Sequence, residues 1–201
     1  QVLPAIAETA GHVTLFQRTP AWIVPRGDAP YTDAERRRLR DDPDALARLR
    51  RTLYLQGEDR FASRSGDAAA SEAARAEALA HLHAQVADPA LRAALTPDYA
   101  FGCTRVLLSD DFYPAVAGDR VTLEPTALAQ VDGARLMSAA GRAHDADVVI
   151  LATGFASAQQ PYAALVRGED DVTLAEHWAA GMTSFASTVV SGFPNLFVLN
   201  G

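Results

Sequence analysis

Cysteine is almost missing from this 201-residue chain, where Cys103 stands alone. A single thiol excludes an internal disulfide framework and fits a reducing, cytoplasmic compartment. Long apolar runs are missing too. Hydrophobic residues make up 49% of the chain, yet no stretch approaches the ~20 apolar residues that span a bilayer. No basic-plus-apolar segment opens the sequence as a signal peptide would. Positive charge is in deficit, with 18 Lys and Arg against 25 Asp and Glu and a net charge of -7. That balance argues against nucleic acid or an acidic membrane surface as a partner, since both need clustered cations. Neither a phosphate-cradling P-loop nor a serine-nucleophile elbow is present. Nor is a glycine-rich strand–turn–helix found anywhere. His12, His81, His83, His144 and His177 show no ligand spacing with a second cysteine or clustered carboxylates, so no metal site is expected. What remains is an acidic globular chain of one domain, or one domain and part of another.

Val2 to Ala10 carries apolar positions at helical spacing, and Gly11 is placed to cap a helix in the left-handed conformation. His12 to Phe16 then reads as a buried strand. Helix, glycine, strand is the second part of a βαβ unit, so the chain is expected to enter such a unit after its first strand. Pro20, Pro25 and Pro30 turn the chain into an Ala-, Arg-, Glu- and Leu-rich stretch, Thr32 to about Thr96, read as a helical insertion divided by Pro43. It is too long for an ordinary connection, which leaves a lid or a packing element. Short strands are expected at Arg105 to Leu108, Val121 to Glu124, Ala127 to Val131 and Arg135 to Ser138. Asp147 to Ala152 is a continuous Val/Ile/Leu run, the pattern of a parallel strand buried on both faces. Thr173 to Trp178 reads as a brief helix and Asn195 to Asn200 as a last strand. No internal repeat is visible.

Two arginines could carry chemistry. Arg18 and Thr19 follow the strand at His12 to Phe16, where a dinucleotide-binding fold reads the adenosine ribose. An acidic residue there takes a free 2′-hydroxyl and an arginine takes a 2′-phosphate, so Arg18 points to NADPH, with Thr19 as a second donor. The competing reading is a solvated strand-end arginine. Arg105 opens an apolar run, and its guanidinium is a permanent charge suited to a developing anion. Its alternative is a surface ion pair with Asp110 or Asp111. Those two aspartates are themselves expected at the start of a short helix at Phe112 rather than as a catalytic pair. The arginines from Arg36 to Arg51 are interleaved with acids and read as solvated helix surface. Trp22 and Trp178 read as packing anchors.

Four segments fall in a fixed order: Leu15-Phe16-Gln17-Arg18-Thr19-Pro20, Gly102 to Pro114, Val148 to Phe155 with its Ala152-Thr153-Gly154, and Gly192-Phe193-Pro194-Asn195-Leu196-Phe197. As an ordered set they resemble the Baeyer–Villiger-type, class B flavin-containing monooxygenases. The likeness runs from Gln1 to Gly201 and is weakest in the helical insertion. It implies an α/β fold: a Rossmann-like NAD(P)-binding domain lacking its first strand and glycine-rich turn, with a helical insertion, plus a C-terminal piece of the FAD-binding domain. The implied divisions are 1–31 and 97–152 for the NADPH domain, 32–96 for the insertion, and 153–201 for the return to the FAD domain.

The resemblance also implies roles. Arg18 and Thr19 hold the 2′-phosphate of NADP. Arg105 is the active-site arginine. Gln1 ends the pyrophosphate-binding segment and contacts NADP. Thr104 stands where relatives commonly carry a lysine that helps hold NADPH. Ala152, Thr153 and Gly154 form the crossing between domains. With FAD and NADP bound, the complete enzyme is expected to insert one atom of O2 into a ketone or related organic substrate through a C4a-peroxyflavin. Oxidation of a nitrogen or sulfur is the alternative within the enzymes, and a truncated, non-catalytic NADP-binding remnant is the alternative outside them. The missing N-terminal half of the same enzyme is the expected partner, and this chain by itself is expected to be inactive.

Overall fold

The computed structural model describes residues 2–154, 156 and 159–199. It divides into two compact units, Gln1–Val148 and Val149–Gly201, with mixed helix and strand content.

The first unit opens on helix α1 (Val2–Ala7), which buries Leu3. The amides of Thr9 and Ala10 both donate to the Ile6 carbonyl and end the helix. Gly11 is not in the left-handed region, so the expected glycine cap is not used. Strand β1 (Val13–Phe16) follows, then β2 (Ile23–Val24). Between β2 and strand β3 (Leu107–Leu108) lies the insertion: α2 (Asp33–Asp41), α3 (Pro43–Asp59), α4 (Ala68–Gln85) and α5 (Pro89–Leu95). Each helix starts where a short polar side chain can satisfy free amides. Thr32 and Glu35 form a reciprocal capping box on α2, and Asp67 accepts from the Ala70 amide on α4. Asp42 and Asp88 cap α3 and α5, each followed by proline in the first helical turn, where a missing N–H costs nothing.

The four helices divide by burial. On α4, Ala78, His81 and Leu82 are buried at positions i, i+3 and i+4. Leu82, with Val86 and Leu95, joins Leu3, Ile23, Tyr113 and Val116 in one core, and Ala78 joins Trp22, Val24 and Phe101 in another. Leu82, Val86 and Leu95 are almost wholly enclosed, and each such side chain contributes roughly 1.5–3 kcal/mol relative to exposure. The outer pair differs: α2 buries nothing and α3 only Ala45. The inner half of the insertion is therefore packing, and the outer half is solvated.

After β3 come helix α6 (Phe112–Val116) and strand β4 (Val121–Glu124). Then follow β5 (Leu128–Asp132), β6 (Arg135–Ser138) and β7 (Ala143–Asp145). Pairing is parallel for β1 with β4 and for β2 with β3, and antiparallel through β5-β6-β7. In the first pair Val13 faces Val121 and Phe16 faces Glu124.

The second unit holds a separate small core of Ala163, Leu174, Trp178, Val190 and Phe193. Its helix α7 (Leu174–His177) is started by a capping box between Thr173 and Glu176. Trp178 anchors it, donating from Nε1 to the Thr183 carbonyl at 2.9 Å. Gly168 packs so tightly that a Cβ there would lie 2.3 Å from the Gly192 carbonyl oxygen.

Three strand expectations are corrected. Asp147 to Ala152 forms no strand, and Val148 and Leu151 are 75% and 73% exposed. A fully apolar strand is stable only with neighbours on both edges and cover on both faces, and no strand among the described residues pairs with this run. Asn195 to Asn200 shrinks to a single bridge between Phe197 and Val189, and Asn200 lies outside the described residues. Arg105 to Leu108 keeps only its last two residues as strand.

Candidate functional site

The end of β1 is fixed on both sides of the chain. Phe16 pairs with Glu124, and the Gln17 amide donates to the Glu124 carbonyl at 2.9 Å. Arg18 and Thr19 emerge one residue later, both exposed. Arg18 has no ion pair or side-chain hydrogen bond among the described residues, so its guanidinium is free for a ligand.

Beneath this turn lies a carboxylate the sequence reading did not single out. Glu124 is 1% exposed and accepts four hydrogen bonds from side chains. Arg142 donates from Nε at 2.7 Å and from Nη2, Thr126 donates from Oγ1 at 2.6 Å, and His144 Nε2 lies 3.1 Å away. The hydrogen bonds from Arg142 dominate and outweigh desolvation, holding the Glu124 carboxyl down at about 2. The same contact raises the Arg142 guanidinium further. The His144 ring meets Phe16 edge-on at 5.2 Å. Glu124 thus joins the last residue of β1, through its backbone, to strand β7, through its carboxylate.

Arg105 sits on a second framework. Trp22, 2% exposed, donates from Nε1 to the Tyr99 carbonyl at 3.0 Å and packs on Tyr99 and Phe101. Arg75 from α4 lies over the same indole at 5.9 Å, a cation–π contact from the insertion. The backbone then turns at Gly102, whose φ of +87° lies in the left-handed region. Thr104 donates its hydroxyl to the Tyr99 hydroxyl at 2.9 Å, and Arg105 projects exposed just before the Leu107 amide bonds to the Trp22 carbonyl.

The aspartates stand at the start of α6 as expected, with Asp111 as its N-cap residue, but their side chains do not cap it. Asp110 accepts from the Arg26 amide at 3.0 Å and the Gly27 amide at 2.9 Å, closing the chain after β2 onto the chain after β3. The start of α6 is served by Ser109, whose Oγ accepts from the Asp111 and Phe112 amides, and Asp111 makes no side-chain cap. A hydroxyl two or three residues upstream was better placed than either carboxylate. Neither aspartate pairs with Arg105, which has no charged partner among the described residues. His81 on α4 reaches the Ser109 carbonyl at 2.8 Å and packs on Tyr113, so the insertion also grips this segment. His83 is exposed, on another face as expected.

The structure thus puts Arg18 just past one parallel strand pair and Arg105 just ahead of a strand of the other. Ala152, Thr153 and Gly154 belong to the second unit and are exposed, with Gly154 at φ +93°. Gln1 lies outside the described residues. Among the described residues no three His, Cys, Asp or Glu side chains converge as metal ligands, and no helix is long and apolar enough to cross a membrane.

No family model matches the chain. A Baeyer–Villiger monooxygenase of Streptomyces coelicolor is 40% identical over 203 residues, covering 100% of this chain and 39% of the relative. One from Pseudomonas aeruginosa is 34% identical, again across 100% of the chain and 38% of its own length. These two relatives are Baeyer–Villiger monooxygenases. The resemblance read from the four ordered motifs is thereby borne out along the whole sequence. The chain spans about two fifths of the length of these curated relatives. Among solved structures, OTEMO in complex with FAD and NADP superposes with a TM-score of 0.76 at 25% identity, covering 98% of this chain and 44% of that one. The flavin and the nicotinamide coenzyme expected from the Baeyer–Villiger likeness are both present there.

An exposed, unpaired guanidinium beside a threonine, at the carboxyl end of a parallel strand, is suited to a phosphate on the ribose of NADP. The described residues offer no comparable cradle for FAD. Sequence reasoning singled out Arg18, Thr19 and Arg105 as candidates but not the cluster of Glu124, Arg142 and His144. No local signal marked it, because Val121 and Leu123 alternate with Thr122 and Glu124 along β4, which puts Glu124 on the face of the exposed Thr122.

Proposed function

We propose that this chain is part of an FAD- and NADPH-dependent monooxygenase that inserts one oxygen atom of O2 into a ketone or related small organic substrate in the cytoplasm. The carrying observation is the free guanidinium of Arg18 at the end of β1, within a chain matched throughout by Baeyer–Villiger monooxygenases. In this reading residues 1–31 and 97–152 belong to a Rossmann-like NADPH domain, 32–96 are its helical insertion, and 153–201 return to the FAD domain. The N-terminal half of the same enzyme completes both.

Arg18 and Thr19 hold the 2′-phosphate, Arg18 by a charge-assisted hydrogen bond and Thr19 by its hydroxyl. Bound FAD supplies the oxygen chemistry. Arg105 contributes a fixed positive charge and a planar set of donors that stabilise negative charge appearing during reaction. Thr104 gives this site no cation of its own and is already engaged by Tyr99, so coenzyme preference falls on Arg18. Ala152, Thr153 and Gly154 carry the backbone between the domains, where a glycine at positive φ permits the turn.

The test uses the complete protein that carries this chain. Under 18O2, NADPH-dependent turnover of a cyclic ketone should give an ester with one labelled oxygen, and an unlabelled or absent product would refute the reading. Arg18→Ala should raise KM for NADPH roughly tenfold, the scale of one lost charge-assisted contact, and leave KM for NADH nearly unchanged. Equal loss for both coenzymes would make Arg18 structural.

A further inference from the structure

We propose that the Glu124–Arg142–His144 cluster is the positioning device for the coenzyme-reading turn, and so a determinant of NADPH over NADH. The inference rests on the proposed role of Arg18 and adds residues that touch no coenzyme themselves. A freely rotating arginine at a strand end gains little from a phosphate, because the side chain and its backbone must be ordered on binding. Here the backbone is ordered beforehand. The Glu124 carbonyl holds the Gln17 amide at 2.9 Å, immediately before Arg18. The Glu124 side chain, in turn, cannot move, since Arg142, Thr126 and His144 occupy both of its oxygens.

His144 adds a second hold on the same strand end through its 5.2 Å edge contact with the Phe16 ring. A buried carboxylate is a costly way to join strands if mechanical cohesion were the only gain, because an apolar side chain of the same size generally does as well. Its advantage is a single geometry. Several directional bonds converge on one group, and a lost partner leaves an unsatisfied charge rather than a slightly different packing. The residue held most directly is the one before Arg18.

The experiment measures equilibrium Kd for NADP+ and NAD+, without turnover, on the complete protein. The variants are Glu124→Gln, His144→Phe and Arg18→Ala. Glu124→Gln keeps the size and loses the charge, and His144→Phe keeps the ring against Phe16 and loses the nitrogen. Both cluster variants should weaken NADP+ by roughly three- to tenfold and leave NAD+ within about twofold, the range for residues acting through one network. In an Arg18→Ala background, Glu124→Gln should remove no further preference.

If Arg18→Ala abolishes the preference while the cluster variants retain it, the cluster is only structural and this inference is overturned with the Arg18 reading intact. Should Arg18→Ala itself leave the preference unchanged, both fall. Equal weakening of the two coenzymes in the cluster variants also overturns the inference. Thr126→Val removes one bond from the rim of the cluster. It should show the same selective loss at smaller amplitude, and it decides the matter if the other two variants do not fold.

Discussion

Arg105 is exposed and has no ionic partner among the described residues, and its two nearest acidic candidates in sequence are accounted for: Asp110 grips backbone amides, and Asp111 makes no pair with it. A cation left free in a structured segment is poorly explained as a stabilising pair, and exposed pairs contribute only about 0–1 kcal/mol in any case. Its proposed value lies in charge that appears during oxygen transfer, so its loss belongs in turnover rather than in coenzyme binding. Arg105→Ala in the complete enzyme should keep NADPH affinity and lose product formation by a factor on the order of a hundred to a thousand. Arg105→Lys should recover little, because an ammonium cannot reproduce the planar fork. Product formed per NADPH consumed is the deciding measurement; an unchanged ratio in Arg105→Ala removes the catalytic role. Glu124 gives a prediction of another kind. Its folded value of about 2 lies below its ordinary 4.5, so the unfolded state binds the proton more readily. Stability from this carboxylate is complete above pH about 4.5 and is lost as the pH falls towards about 2. Acid unfolding followed by circular dichroism should show that limb, and Glu124→Gln should flatten it while lowering stability at neutral pH. A limb of the same steepness in the variant would assign acid sensitivity elsewhere.

Helices were the elements most legible in the sequence, because their starts are written in single residues. Thr32, Asp42, Asp67 and Asp88 each precede the helix they cap, and Pro43 and Pro89 fall where a helix tolerates them. Strands β4 and β6 were legible by composition, as was the strand after Gly11. The run at Asp147 to Ala152 was not, since an apolar run records the burial it prefers and says nothing of whether neighbours are present to provide it. The candidate site divides the same way. Arg18 and Arg105 could be found because position along a motif marks them. The Glu124 cluster joins residues 18 and 20 positions apart, and Asp110 reaches a backbone 84 residues away; no local pattern records such contacts. Glycines show the contrast within one element type. At Gly168 a methyl group would meet the Gly192 carbonyl at 2.3 Å and the Phe193 ring at 2.9 Å. Gly168→Ala should therefore cost about 1–3 kcal/mol through overpacking of the second core. At Gly57, inside α3, a methyl group meets nothing within 4 Å, and Gly57→Ala should stabilise by about 0.5–1 kcal/mol. Thermal unfolding of the two variants should move in opposite directions, and a neutral Gly168→Ala would show that the contact relaxes freely.

For the whole molecule, the two units carry separate cores, and the residues assigned to coenzyme reading and to the active-site cation both lie in the first. Binding a dinucleotide tightly needs more than a phosphate contact: a glycine-rich turn brings backbone amides and a helix N-terminus to the pyrophosphate. No such strand–turn–helix occurs among these 201 residues. The apolar run at Val148 to Leu151 is exposed, and Ala152, Thr153 and Gly154 beside it are exposed as well, so these residues at the start of the proposed return to the FAD domain offer no enclosed surface to a flavin. The 201-residue chain, expressed by itself, should accordingly purify colourless, retain no FAD after desalting, and leave NADPH unoxidised under air. Addition of FAD in excess should not change this, because the limitation is the absent pyrophosphate turn rather than supply of the group. Ultraviolet–visible spectra and the rate of NADPH loss are sufficient readouts. Stoichiometric flavin copurifying with the chain would show that its own residues build a complete flavin site, and the division of labour proposed here between this chain and the rest of the enzyme would then be wrong.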